Sequence, residues 1–108
     1  MNVCISGFGA VSSLGVGLEA TRQGLYAPPK LPTLPTRVDT SLRLPVFEVP
    51  LAGESGQPGG FTNTMLELAL TEALDQAGLT RSSLAGRKVG VCIGTTVACQ
   101  LNNIPFYD

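Results

Sequence analysis

Three stretches of the chain are apolar, each in its own rhythm. Residues 2–7 form a short run containing Val3, Cys4 and Ile5 that breaks at Gly7 and Gly9. That length suits a fully buried strand and is too short for a helix. Residues 88–94, Lys88-Val89-Gly90-Val91-Cys92-Ile93-Gly94, read the same way and end at Thr95-Thr96. Between them, Leu66, Ala69, Leu70, Ala73, Leu74 and Ala77 recur at helical spacing, widened by Met65 and Leu68. Thr64 with Glu67 forms a capping box, so the pattern predicts a helix over 64–77. Gly78 supplies a left-handed stop, and Leu79 can fold back on Leu74. So wide a stripe of small side chains suits close packing on a sheet.

Strand, helix and strand in this order predict an α/β fold with a parallel β-α-β core, closed by a right-handed crossover. The weaker elements lie between the first strand and the main helix. Residues 16–25 predict a short helix with Leu18, Thr21 and Leu25 on one side, weakened by Gly17 and Gly24. Residues 26–60 hold seven of the eight prolines together with Gly53, Gly56, Gly59 and Gly60. They predict a long irregular Pro/Gly-rich loop, with Leu42–Val49 as a possible edge strand between prolines. Residues 80–87 are a polar connection.

Composition changes the picture in one respect. Only 14% of the 108 residues are charged, against about a quarter in ordinary domains, and the mean hydropathy is +0.25. A small free-standing domain has much surface to cover and should be more polar than this. The chain is therefore expected to bury apolar faces against a partner: another copy, another chain or further sequence. Its apolar, aromatic end at Phe106-Tyr107-Asp108 suggests a cut inside a larger protein. The net charge of -1 and the lack of a basic stripe argue against nucleic acid. No run reaches the roughly 20 apolar residues of a bilayer span, and the start does not read as a signal peptide. Three cysteines, Cys4, Cys92 and Cys99, suggest a reduced, cytoplasmic chain.

The chemistry-bearing motifs are few. Gly7-Phe8-Gly9-Ala10-Val11-Ser12 follows a strand as a dinucleotide fingerprint would, but the third glycine is missing. The segment where the second strand of such a fold should lie is Pro28-Pro29-Lys30-Leu31-Pro32, which cannot be a central strand. A small nucleotide-binding module therefore stays open as an alternative to a turn that simply needs glycine. Pro32-Thr33-Leu34-Pro35-Thr36-Arg37 matches an extended groove-binding string, beside the plainer reading of a surface loop. Cys92 and Cys99 are too far apart, without histidine, for an ordinary zinc pair. Cys4 and Cys92 read as small buried hydrophobes. Glu67, Glu72 and Asp75 read as a solvated helix face. With no histidine in the chain, Cys-His and Ser-His catalysis are excluded within it. No catalytic residue, metal site or cofactor is expected.

Three segments, in order, resemble the beginning of a β-ketoacyl synthase of the thiolase-like superfamily. Val3-Cys4-Ile5-Ser6-Gly7-Phe8-Gly9-Ala10-Val11-Ser12-Ser13-Leu14-Gly15 is similar to the family's opening strand and turn. Residues 66–79, ending Asp75-Gln76-Ala77-Gly78-Leu79, are similar to its long helix ending in "DAGL". Arg87-Lys88-Val89-Gly90-Val91-Cys92-Ile93-Gly94-Thr95-Thr96 is similar to its "RVGVxIGT" strand. The resemblance implies that residues 1–108 are the N-terminal part of a ketosynthase domain, an incomplete thiolase-like half. It also implies decarboxylative Claisen condensation of acyl and malonyl thioesters carried on acyl carrier protein, in fatty-acid or polyketide synthesis, by a cytoplasmic homodimer. The family's nucleophilic cysteine and its two histidines, or His-Asn pair, come later in its sequence, so this chain alone is expected to be inactive. Val97, Ala98, Cys99 and Gln100 resemble the segment that approaches the acyl pocket, although Ala98 and Cys99 stand where relatives often carry glycine. A non-catalytic, chain-length partner of the same fold is the other reading this resemblance permits.

Overall fold

The computed structural model describes residues 2–37, 39–51 and 60–94. Its elements are a two-strand hairpin, β1 (Val11–Ser12) and β2 (Gly15–Val16), then α1 (Leu18–Tyr26), α2 (Gly60–Gln76) and a short 3-10 turn at Ser82–Leu84. β1 and β2 run antiparallel, with Val11 opposite Val16 and Ser12 opposite Gly15. Ser13 and Leu14 form the connecting turn, in which the Leu14 N–H donates to Ser12 Oγ at 3.1 Å.

Helix α2 ends as its sequence predicts. Gly78 adopts φ +65°, a conformation that costs a side-chain-bearing residue about 1 kcal/mol or more. The Leu79 N–H reaches back to the Leu74 carbonyl at 2.9 Å and the Gly78 N–H to Asp75 at 3.0 Å, which is the Schellman pattern. Its start differs from expectation. The helix begins at Gly60, so Thr64 lies inside it rather than at its cap, with Oγ1 turned toward the Gly60 carbonyl at 3.5 Å. A capping box is only a local option, and here the helical hydrogen bonds continue back past it. The helix predicted over 16–25 forms at Leu18–Tyr26.

The expected parallel β-α-β core is not formed among the described residues. Residues 2–7 and 88–94 join no ladder, and the sheet among the described residues is the antiparallel hairpin. A lone pair of parallel strands, with neither flanking strands nor covered faces, has too little burial to offset its ordering cost. Val3, Ile5 and Val91 are accordingly 87%, 86% and 81% exposed, and no described hydrophobic residue is buried. Cys4 and Cys92, expected as buried hydrophobes, are exposed free thiols for the same reason.

Within 26–60, the described part is irregular as predicted. The edge strand expected over Leu42–Val49 is reduced to one antiparallel bridge between Thr33 and Val46. On one side the next hydrogen-bonded pair would be residue 35 with Leu44, and Pro35 has no N–H to give it. The polar connection after α2 is ordered by Thr80 and Ser83: each hydroxyl accepts from the other's backbone N–H, at 3.1 and 3.0 Å.

Candidate functional site

The most constructed part of the molecule is where the glycine turn meets α2. Gly7 and Gly9 lie directly on the helix backbone. A Cβ on Gly9 would overlap the Ala69 carbonyl oxygen, and one on Gly7 would overlap that of Ala73 and stand 3.0 Å from the Ala77 nitrogen. Absent side chains on the turn and alanines at four-residue spacing on the helix permit this approach. The stripe of small residues thus packs on the segment following the first apolar run, while Leu66, Leu68 and Leu70 stay exposed.

Polar bonds close the same junction. The Glu72 carboxylate receives the Leu18 N–H on Oε1 at 2.7 Å and the Ala10 N–H on Oε2 at 3.0 Å, both part-buried. One turn further on, Gln76 Oε1 accepts the Phe8 N–H at 3.4 Å. Helix α1 needs this help, because its N-cap is Gly17, which has φ +93° and no side chain to offer. The free N–H groups of a helix start attract an anion, and Glu72 supplies one from 54 residues along the chain. The solvated face expected for Glu67, Glu72 and Asp75 is therefore corrected for Glu72. A signal was present: Glu72 sits three residues after Ala69 and beside Ala73, on the edge of the small-residue stripe.

This geometry bears on the nucleotide alternative. The backbone donors that would cradle a phosphate at the glycine turn and the following helix already hold a carboxylate of the same chain.

A cleft of about 270 Å³ lies elsewhere, in the proline-rich arm beside the Thr33–Val46 bridge, with Lys30, Phe47 and Glu48 on its walls. Its polar groups are engaged within the chain. Glu48 accepts the Thr36 hydroxyl at 2.6 Å, the Thr36 N–H at 2.8 Å and the Arg37 N–H at 3.1 Å. These bonds, led by the hydroxyl, hold its carboxyl below the usual carboxylate range. Arg37 donates to the Leu51 carbonyl and lies over the Phe61 ring, 4.7 Å from its centroid. Lys30 Nζ donates to the Ser13 carbonyl at 3.0 Å. In the Pro32–Arg37 string, Thr33 is thus paired to Val46 and Arg37 is committed within the chain, which is the surface-loop reading.

The pocket-lining candidates Val97, Ala98, Cys99 and Gln100 lie outside the described residues. Among the described residues, no three His, Cys, Asp or Glu side chains converge as metal ligands, and no helix is long and apolar enough to cross a membrane. Compared with known proteins, the chain matches no family model, no curated sequence and no solved structure.

Proposed function

We propose that this chain is the N-terminal portion of a β-ketoacyl-acyl-carrier-protein synthase of thiolase-like fold, acting in fatty-acid or polyketide assembly. The observation that supports it best is the seating of the first resembling segment on the second, Gly7 and Gly9 against Ala73 and Ala69. The third segment, 88–94, is apolar and uncovered, as an inner strand is before its neighbours arrive. In this reading, further strands of the same domain flank 2–7 and 88–94 and complete the parallel sheet. Val97, Ala98, Cys99 and Gln100 then approach the acyl pocket. The complete enzyme is a cytoplasmic homodimer that takes acyl and malonyl groups from acyl carrier protein.

The chemistry itself is assigned to residues beyond this chain. A thiolate at a helix start, favoured because the helix terminus lowers the thiol pKa, attacks the acyl-carrier thioester and takes the acyl group as the carrier thiol leaves. Loss of CO₂ from the malonyl unit yields the carbanion that attacks the acyl-enzyme thioester; backbone N–H groups hold the oxyanion, whose collapse expels the enzyme thiolate and leaves the β-ketoacyl product on the carrier. This portion contributes the wall on which that centre is built.

Reading the transcript past the Asp108 codon is the test. A later cysteine elbow followed by two separated histidines is the expected result. Histidines without the cysteine would identify the chain-length partner instead, and a stop codon or unrelated sequence would overturn both. The pure 108-residue chain should release no CO₂ from malonyl-carrier protein.

A further inference from the structure

We propose that Glu72 is an internal anion latch: its carboxylate, presented by α2, docks the glycine turn, the hairpin and α1 as one body. Releasing it would free that body from α2 while leaving each helix intact.

The hairpin and α1 are already one unit without Glu72. The Gly17 N–H donates to the Ala10 carbonyl at 2.8 Å and the Thr21 N–H to Gly17 at 3.0 Å. Thr21 Oγ1 also donates to the Gly17 carbonyl at 2.8 Å. Gly24 packs under Leu14 and Gly15 against Ala20. Ala10 thus accepts from Gly17 and donates to Glu72, which fixes the spacing of the two N–H groups the carboxylate must span. Each carboxylate oxygen takes one of them. The joint to α2 includes these two bonds, the longer Phe8–Gln76 bond, the packing of β1 on the helix and the glycine-on-alanine approach. The last of these buries no large side chain, so directional polar bonds carry the docking. The space around the carboxylate is also shaped for it: a Cβ on Gly17 would stand 3.1 Å from Glu72 Oε1. The latch does not depend on the condensing-enzyme reading.

Amide hydrogen exchange of the 108-residue chain, read by NMR at Ala10 and Leu18, tests it. In E72A both amides should exchange at least about tenfold faster, while those in the middle of α2 keep their rates. Sodium acetate should restore the slow exchange, and sodium chloride at equal ionic strength should not. E72Q keeps only one acceptor oxygen, so one of the two amides should accelerate and the other should not. Unchanged rates at both amides in E72A, or in E72Q, would overturn the latch. So would equal rescue by chloride. If E72A instead unfolds throughout, shown by a general rise across α2, the E72Q pair decides on the same criterion.

Discussion

The glycine turn and the two apolar runs, 2–6 and 88–94, are similar in being apolar and punctuated by glycine, yet they end in opposite states. Residues 7–18 are held on α2 by close backbone contact and by Glu72 and Gln76. Residues 2–6 and 88–94 are extended in sequence character but join no sheet, with Val3, Ile5, Val89, Val91 and Ile93 exposed. The difference is one of partners. The turn needs one helix face and a few hydrogen-bond acceptors, all present in the chain. A buried strand needs neighbours on both edges and cover on both faces. Burying each of those side chains would contribute roughly 1.5–3 kcal/mol, which this chain leaves unrealised.

Substitutions on the two sides of this contrast should behave oppositely. The largest effect is expected at the junction. Gly9→Val would drive a branched side chain into the Ala69 carbonyl and cost about 3 kcal/mol, the upper end for overpacking. NMR should show residues 8–18 losing their dispersed shifts; retained dispersion would mean the turn is not seated as described. A smaller effect is expected at Gly78, where an added Cβ meets nothing within 4 Å. The cost of Gly78→Ala is then conformational, about 1 kcal/mol, seen as faster exchange of the Leu79 N–H. The smallest effect on stability is expected in the uncovered runs. The double variant I5D/V91D should change the thermal midpoint by no more than about 0.5 kcal/mol warrants. It should nevertheless shift light scattering toward monomer, because it removes apolar surface available for association. A large loss of stability there would show that these runs are covered after all.

What the sequence made legible follows the same division. The Schellman ending of α2 needs only Gly78, Leu79 and Leu74, so local reading found it. The position of α1 came within two residues at its start. The early start of α2 at Gly60 was hidden by Thr64 and Glu67, which mimic a cap that the helix overrides. Glu72 was missed because helical periodicity sorts residues by polarity, and a carboxylate is assigned to water by default. Accounting for the unpaired N–H groups around a glycine-capped helix would have asked for such an acceptor. The strand pairing of 2–7 with 88–94 was the least legible step, because local sequence cannot say whether the neighbours exist.

Each uncovered run also carries its own chemical reporter. Cys4 stands in one and Cys92 in the other, both as free, exposed thiols. An alkylating reagent meets either sulfur for as long as its run lies open to water and loses it when something closes over. With the modified cysteine identified by peptide mapping, which sets Cys99 apart, the native chain can therefore time the shielding of its two flanks separately, with no engineered label.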